Sequence, residues 1–546
     1  MKQMIQKFEL GFENLGRWIH THPKRVILVM LLFFVSLASN IPSIKVDTST
    51  EAFFSKKDQT RIAYDRFREQ FGRDEIVLAL IHPKKVFDLE FLEKLKAFHE
   101  DLEEEVPHLD EVQSLINVTS MRGEDGELII EELMEDWPED EKGISELKDR
   151  VLSNKYYRNF LVSEDGRYTT VVVRSNAFSD YGKEIDQDEM LADGFEENEG
   201  ISITEDDKPR LLTEEQNSEF VVAIQSLADR HRSEDFPIDL GGSPVMVHDL
   251  KKAMFSDMPV FVLASLGVIA LLLVILFRRL SGLVLPLLTV IFSLLTALGL
   301  VAVTGTKLTI VMQILPSFLL AVGIGYSMHL LVIYYRHLRD HGDKGEAIAY
   351  AMGHSGLAIL ITSLTTAGGL LSFVPVKVAP VSDLGLFGAA GVLFCVSFTL
   401  VLLPALLSVI PEGNHLVASE NLHLQKNSRT RYSYADRMLK GCGDFAVNKP
   451  WTVIGISLLI ALISSFGAAQ LRFSHNPIAW LPDDNSLRSA TEAINEHMQG
   501  SAAIELVVER EKENAVKEPE FMNRLDEFNH FSEGTSYNRI YVGKSS

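Results

Sequence analysis

The sequence has few cysteines: Cys395 and Cys442 are the two among its 546 residues. Cys395 lies inside an apolar run and Cys442 in a polar stretch, so no disulfide framework holds the chain together. The chain also lacks a P-loop, a G-x-S-x-G elbow, a paired-cysteine zinc pattern and an H-E-x-x-H motif. We therefore expect no enzyme chemistry, no cofactor and no metal, and turn to the apolar runs and the charge.

Negative charge is unevenly distributed along the chain. The formal net charge is −23, but residues 45–257 alone hold 26 Lys and Arg against 52 Asp and Glu, a difference of −26. The remainder is near neutral and strongly apolar. The sequence therefore combines an acidic region that faces water with a membrane region. The acidic surface disfavours nucleic-acid binding.

Seven apolar runs are long enough to cross a bilayer. The first, residues 26–44, follows a predicted amphipathic helix over residues 1–25. It is too long for the apolar region of a cleaved signal peptide, and no A-x-A site follows it. The other runs are residues 258–277, 282–303, 308–335, 356–376, 384–410 and 451–471. Between the fourth and fifth, residues 336–354 predict a short interfacial helix.

Basic residues indicate the orientation of these runs. Lys and Arg are concentrated after the second, fourth and sixth runs, including the linker at residues 411–450. The positive-inside rule then places these loops and the N-terminus in the cytoplasm. Residues 45–257 and the region 472–546 are predicted to be extracytoplasmic, and residues 258–410 form five consecutive spans.

The acidic region alternates strand and helix signals. Apart from a helical insertion at residues 129–154, its order is β-α-β-β-α-β, which predicts a ferredoxin-like α+β domain. The strands are predicted at residues 75–81, 112–117, 168–175 and 238–245, and the helices at 88–105 and 213–232. Residues 180–207, dense in Asp and Glu, read as a solvated loop. A calcium site is the alternative, but EF-hand spacing is absent.

The chain contains an internal repeat with an offset of 427 residues, which aligns Pro23 with Pro450. The same offset aligns Arg61 with Arg488 and an acidic residue four positions later in each copy. With one residue inserted, FGRDEIVLALI matches QGSAAIELVVE. A shared membrane composition does not explain this match, because it continues beyond the apolar run. We expect a 6+6 span repeat whose second copy is incomplete, with residues 472–546 as the start of a second outer domain.

Four stretches together resemble the resistance-nodulation-division (RND) transporter superfamily. They are VDTSTEAFFSKKDQTRIAYDRFREQFGRDEIV, VGIGYSMHLLVIYYRHLRD, ITSLTTAGGLLSF and FGAAGVLFCVSFTLVLLPALLSVI. The sequence is most similar to hydrophobe and amphiphile exporters close to the MMPL lipid transporters, and more distantly to Patched-like and sterol-sensing proteins. The resemblance implies a bacterial inner-membrane protein with ferredoxin-like porter domains outside, which moves apolar molecules at the expense of the proton gradient.

The sequence departs from this family in the fourth run. Family members commonly read like GIGDSxH there, with an aspartate as the proton-relay carboxylate, whereas Tyr326 occupies the matching position. An unperturbed phenol has a pKa of about 10 and is a poor substitute for a carboxylate in a proton relay. His329, one turn later, is the remaining titratable candidate for a proton relay. The alternatives are a neutral His329 hydrogen-bonded to a neighbouring helix and a Tyr326 that only packs or bonds to His329.

Polar and small residues nearby carry two further predictions. Hydroxyls in the fifth run either complete a polar path with His329 or bond back to their own helix; they belong to Thr362, Ser363, Thr365 and Thr366. Small residues predict close helix packing; they are Gly323, Gly325, Gly368 and Gly369.

Two functions are compatible with these features. The first is an RND-type secondary transporter that exports or relocates lipids or other hydrophobic molecules, with protons passing near His329. The second is a lipid-sensing or scaffold protein that kept the fold without the relay. The expected partners are a lipid or hydrophobic small molecule and the membrane, with a homo-oligomer or a second polypeptide supplying the missing half.

Overall fold

The computed structural model describes most of the chain. The described residues are 2–55, 57–71, 75–124, 127–176, 178, 212–411, 434–471, 477–481, 483, 485–498, 500, 506–508, 515–532, 536–537 and 540–541. The acidic loop predicted at residues 180–207, with its alternative calcium site, lies outside the described residues, as does most of the predicted linker.

Seven helices among the described residues are long and apolar enough to cross a membrane. We call them spans one to seven: Pro23–Ser43, Ser243–Phe277, Leu280–Val303, Ile310–His341, Lys344–Leu371, Ala379–Val409 and Pro450–Ala468. A helix satisfies its own backbone hydrogen bonds, as a lipid-exposed segment must. The protein is therefore a helical polytopic membrane protein, as the apolar runs predicted.

The connection between spans four and five corrects one prediction. Span four continues to His341 and ends at Gly342, whose φ of 78° lets its N–H bond to Leu338. Asp343 then caps span five, its carboxylate accepting from the Glu346 N–H at 2.7 Å. Span five runs unbroken from there to Leu371, so the separate interfacial helix predicted at residues 336–354 is wrong. No residue between 344 and 354 stops a helix.

Span four lies at the centre of the membrane bundle and packs against spans two, three, five and six. Span one crosses span three where Gly299 meets the Leu37 carbonyl, close to stacked Phe34 and Phe292 rings whose centroids are 4.4 Å apart. Span six contains a π-helical segment, Phe398–Leu402, followed by a helix over Leu403–Val409. No residue of span seven is buried.

The N-terminal helix, Lys2–Thr21, packs along the first half of span five. Small residues allow the approach, since a Cβ added at Gly16 would lie 3.1 Å from Ala349. An ion pair between Arg17 and Glu346 at 3.1 Å crosses the same contact. This amphipathic helix is thus part of the bundle.

The acidic region forms a four-stranded antiparallel sheet. Its strands are β1 (Ile76–Ile81), β2 (Leu109–Gln113), β5 (Thr169–Ser175) and β6 (Ile238–Gly241), in the spatial order β2-β5-β1-β6. Helices Leu89–Glu105 and Glu214–His231 pack on one face, with Phe98 and Phe220 fully buried between them and the sheet. We call this unit the sheet domain. A hairpin of β3 (Thr119–Glu124) and β4 (Glu127–Glu132) and a helix, Glu141–Ser153, form its insertion.

The last strand of the sheet domain leads directly into span two. Gly242, with φ of 107°, makes the turn, and a Cβ there would lie 2.1 Å from the Ile76 carbonyl oxygen. A 35-residue helix, Ser243–Phe277, begins at once, so the strand predicted to reach residue 245 ends at Gly241. The domain boundary predicted at residue 257 lies inside this continuous helix.

Several elements recur at the offset of 427 residues found in the sequence. A short 3-10 helix at Thr50–Phe53 has its counterpart at Pro477–Trp480, and helix Gln59–Phe71 has its counterpart at Ser486–His497. We call helix Gln59–Phe71 the linker helix and helix Ser486–His497 the return helix. Both carry an ion pair four residues apart, Arg61–Asp65 and Arg488–Glu492, at 3.0 and 3.2 Å.

The return helix packs on the open face of the sheet. Ile494 and Met498 contact Leu80 of β1, and the His497 ring stacks on Tyr168 with centroids 4.0 Å apart. The remaining described elements are 3-10 helices Ile41–Ser43, Ile310–Ile314 and Ala515–Lys517, helices Tyr434–Asn448 and Pro519–Ser532, and strands Ser536–Tyr537 and Ile540–Tyr541.

Candidate functional site

Tyr326 points into the membrane bundle. Its side chain is 5% exposed, and its hydroxyl has no hydrogen-bond partner. Thr366 of span five and Cys395 of span six lie near it, but the Thr366 hydroxyl forms no hydrogen bond with the Tyr326 hydroxyl. A buried hydroxyl without a partner is costly. The position at which the sequence resemblance predicts a carboxylate is therefore buried inside this bundle and holds an unpaired hydroxyl.

His329 points away from the bundle. It lies one turn beyond Tyr326 on the same helix, yet its ring is exposed. Gly325, one turn before it, has no atom within 4 Å of an added Cβ. The two residues predicted as a pair thus face different surroundings, and no hydrogen bond joins them among the described residues.

The span-five hydroxyls bond to their own helix. Thr362 donates to Ala358 at 2.8 Å, Thr365 and Thr366 donate to Thr362 at 2.9 and 2.8 Å, and Ser363 donates to Leu360 at 2.8 Å. Such bonds were the simpler alternative for these side chains. Thr362 and Thr365 are exposed, whereas Ser363 is fully buried. None donates to His329 in the described structure, and a polar path stays a prediction.

Of the four glycines predicted to allow close helix packing, one faces a neighbouring span and three face open space. A Cβ added at Gly323 would lie 3.0 Å from Cys395 Sγ, so Gly323 permits contact between spans four and six. Gly368 and Gly369, like Gly325, have no atom within 4 Å. Close packing at these three positions therefore requires a surface that the described chain does not supply.

The sequence interpretation missed a line of buried hydroxyls. Ser327 lies 3.4 Å from the Thr289 hydroxyl and 3.3 Å from the Thr399 hydroxyl, which links spans three, four and six. All three residues are at most 1% exposed. Thr399 lies in the π-helical segment, a geometry that is frequent at functional sites. In the sequence, the serine next to Tyr326 was the feature that could have indicated these hydroxyl contacts.

A second missed feature is a charged cavity of about 330 Å³ between the sheet domain and the spans. Asp47, which follows span one, accepts hydrogen bonds from Lys307 at 2.7 Å and from the Ser49 hydroxyl at 2.6 Å. Glu214, at the start of helix Glu214–His231, accepts from the Thr48 N–H at 3.0 Å. The Thr48 N–H bond places the Glu214 carboxyl group beside Asp47, and each of the two groups shifts the pKa of the other. We call them the carboxyl pair.

The two members of the carboxyl pair have opposite pKa shifts. Burial raises the pKa of Glu214, and the contact with Asp47 raises it further, to about 7. Burial also acts to raise the pKa of Asp47, but its hydrogen bonds with Glu214, Lys307 and Ser49 outweigh this and lower it to about 2. A carboxylate beside a second carboxyl group disfavours ionisation of that group, which is the direction of the Glu214 shift.

The opposite wall of the cavity holds a buried ion pair. Arg68 of the linker helix donates to Glu51 at 2.7 Å and to Asp65 at 2.6 Å, and the Arg68 and Glu51 side chains are 9% and 10% exposed. These charges pair within the wall. In the described residues, no group of three or more His, Cys, Asp or Glu is placed to hold a metal ion.

Comparison with known proteins identifies the membrane segment. Residues 211–450 match the model of the MMPL family. This part of the chain is similar to the MMPL family. The RND and MMPL resemblance predicted from the four sequence stretches is thereby confirmed.

Relatives cover the chain to different extents. A membrane protein of Methanocaldococcus jannaschii is 24% identical over 72% of this chain and 92% of its own length. Membrane protein YdfJ of Bacillus subtilis is 27% identical over 39% of this chain and 28% of its own. The hopanoid transporter HpnN of Rhodopseudomonas palustris is 28% identical over 22% of this chain and 14% of its own. The chain thus spans less than a third of the latter two relatives.

Proposed function

We propose that this MMPL protein is an RND-type secondary transporter that exports or relocates lipids or other hydrophobic molecules. The observation that carries the proposal is the MMPL match over five of the spans and part of the sheet domain. A relative named as a hopanoid transporter supports a lipid-like substrate. We place the protein in a bacterial inner membrane, with the N-terminus in the cytoplasm and the sheet domain outside, because the basic loops favour that orientation.

The sheet domain is proposed to act as a ferredoxin-like porter domain. Its strand order, β2-β5-β1-β6, and its two helices on one face support this assignment. A substrate leaving the membrane would pass this domain, whose last strand leads through Gly242 directly into span two.

His329 is proposed as the proton-carrying group. An intramembrane imidazole is costly when it faces lipid, so its exposure on span four favours a polar surface that covers it. Thr362, Thr365 and the two uncovered glycines of span five lie exposed as well. We propose that a second bundle, from another copy or another polypeptide, covers this surface.

The recurring elements support the same kind of partner. On the return helix, Ala490 and Ile494 are buried against the sheet domain. Their counterparts on the linker helix are Ala63, which is exposed, and Phe67, which is partly buried. We propose that the linker helix packs on the sheet of a second domain of the same construction, as the return helix packs on this one.

Reconstituted protein tests the transport proposal. Purified full-length chain in liposomes, with an imposed pH gradient, should move a fluorescent phospholipid analogue between leaflets, and His329→Ala should abolish the effect of the gradient. His341→Ala, at the end of the same helix, is the matched control and should behave like the parent. Equal gradient-dependent movement with and without His329 would show that the proton role is wrong.

The second candidate is a lipid-sensing or scaffold protein, and the buried Tyr326 hydroxyl in place of a carboxylate favours it. Absence of movement in the parent chain, together with saturable binding of the lipid analogue, would support this function. Tyr326→Asp should gain gradient-dependent movement only if the remainder of the pathway is intact.

A further inference from the structure

The contact between the sheet domain and the membrane spans contains an ionisable group at its centre. We propose that Asp47 and Glu214 share one proton, and that this proton makes the contact between the sheet domain and the spans pH-dependent. The proposal concerns a site outside the spans, and it does not depend on what the protein moves.

The hydrogen bonds of the carboxyl pair leave room for one proton. Asp47 Oδ1 accepts from the Ser49 N–H at 3.1 Å and from its hydroxyl at 2.6 Å, and Oδ2 accepts from Lys307 at 2.7 Å. Glu214 Oε1 accepts from the Thr48 N–H at 3.0 Å. Glu214 Oε2 is buried and accepts no hydrogen bond. A proton on Oε2 that is donated to Asp47 satisfies this oxygen and removes the repulsion between the carboxylates.

Water has limited access to the pair. The Asp47 and Glu214 side chains are 14% and 17% exposed. Asn217, one turn along the helix from Glu214, also lines the cavity; it is 4% exposed, and its Oδ1 has no partner. Two buried acceptors on one helix face therefore have no donor, and a proton on Glu214 Oε2 satisfies the first of them.

The surrounding charges do not replace the proton. Lys251 Nζ is 3.7 Å from Glu214 Oε2, beyond hydrogen-bond distance. Lys307 is already bonded to Asp47, and Arg68 of the facing wall is bonded to Glu51 and Asp65. The other charged groups that line the cavity are Lys45, Arg61, Glu75 and Glu215.

The pair lies where four parts of the chain meet. Residues 45–49 bond to the segment before span four, since the Asp47 N–H donates to the Leu308 carbonyl at 2.8 Å and the Leu308 N–H donates to the Lys45 carbonyl at 2.7 Å. The Thr48 hydroxyl donates to the Val247 carbonyl in the helix of span two at 3.2 Å. Glu214 adds the sheet domain to this network. Loss of the Glu214 proton therefore acts on a contact that these segments share.

The direction of the pH effect follows from the sign of the Glu214 shift. Its pKa in the folded protein is about 7, above the ordinary value of 4.5. A raised carboxyl pKa stabilises the structure fully below the ordinary value, and this contribution is lost as pH rises through the folded value. The contact should thus be tight in mildly acidic solution and loosen above neutral pH.

Infrared spectroscopy of the full-length chain in detergent tests this directly. A difference spectrum recorded between about pH 5 and pH 9 should contain a protonated-carboxyl band that titrates near neutral pH. Glu214→Gln should remove the band. Glu215→Gln, which removes an exposed carboxylate from the same helical turn, is the matched control and should retain it. Absence of the band in the parent, or its persistence in Glu214→Gln, would overturn the proposal.

Hydrogen exchange reports the contact itself. After correction for intrinsic exchange rates, a peptide containing Thr48 should exchange at least several-fold faster above neutral pH than below it. The difference should vanish in Glu214→Gln, whose amide stays uncharged, and persist in Glu215→Gln. Asp47→Asn, which removes the neighbouring negative charge, should move the midpoint to lower pH. Two results would contradict a shared proton: protection from exchange that does not depend on pH in the parent chain, or an unchanged pH midpoint in Asp47→Asn.

Discussion

At the scale of single residues, neighbours on span four have different roles because they face different surroundings. Tyr326 and Ser327 are buried, with Ser327 joined to hydroxyls of two other spans, whereas His329 is exposed. The same contrast applies near the sheet domain, where Glu214 is largely buried and the adjacent Glu215 is exposed. Burial, rather than residue type, decides which of these groups has unusual chemistry.

Removing Arg68 should destabilise the protein because it leaves Glu51 as a buried charge without its cation. Breaking a buried ion pair on one side costs about 3 kcal/mol. We expect Arg68→Ala to lower the thermal unfolding midpoint of the detergent-solubilised chain clearly. Arg66→Ala, an exposed position on the same helix, should change it little. Equal midpoints for the two variants would contradict a stabilising role of the pair.

At the scale of elements, glycines determine how closely helices approach. Gly299 allows span one to contact span three, and Gly242 allows β6 to turn into the helix of span two. Proline begins spans one and seven, and in both the preceding residue has a similar backbone conformation, with φ of −126° at His22 and −133° at Lys449. The similar starts of spans one and seven are therefore determined by the local sequence.

Gly299→Ala should separate spans one and three. The added Cβ would lie 2.3 Å from the Leu37 carbonyl oxygen, a backbone atom that cannot rotate away. Overpacking of this kind costs about 1–3 kcal/mol, so the thermal unfolding midpoint should fall. Gly267→Ala on span two, where no atom lies within 4 Å, is the matched control and should not destabilise the chain. A midpoint that falls in both variants would point to helix-wide effects instead.

At the scale of the whole molecule, a segment after span seven contacts the domain that follows span one. The return helix covers the face of the sheet opposite helices Leu89–Glu105 and Glu214–His231. It contributes Leu487 to the main core of the sheet domain and Ile494 to a smaller cluster with Leu80. The sheet is therefore covered on both faces.

Ile494→Ala should release the return helix. Truncating a buried isoleucine costs about 2–5 kcal/mol, and Ile494 is 1% exposed. We expect faster tryptic cleavage after Arg488, which lies in that helix, as mapped by mass spectrometry. Glu496→Ala, an exposed position on the same helix, should be cleaved at the parent rate. Unchanged cleavage in Ile494→Ala would mean that the helix is held by other contacts.

Local pattern predicted the elements better than their ends. Alternating and apolar runs identified the strands at residues 76–81 and 169–175 to within one residue. They failed at the connection of spans four and five, where Gly342 and Asp343 end one helix and begin the next within two residues. The charged, histidine-rich stretch there resembles an interfacial helix by composition, but helix continuity depends on backbone hydrogen bonds, which charge does not interrupt.

The sequence by itself determined the membrane spans and the similarity of residues 211–450 to the MMPL family, because a lipid-exposed helix needs only length and apolar side chains, and the motifs are contiguous. Only the tertiary structure decided which side of span four is buried, since packing of neighbouring helices sets the rotation of each helix about its axis. It also decided the contact between Thr48 and Glu214, which are 166 residues apart in the chain. Contacts of that range depend on how the whole chain folds, and the proton site near them is visible only there.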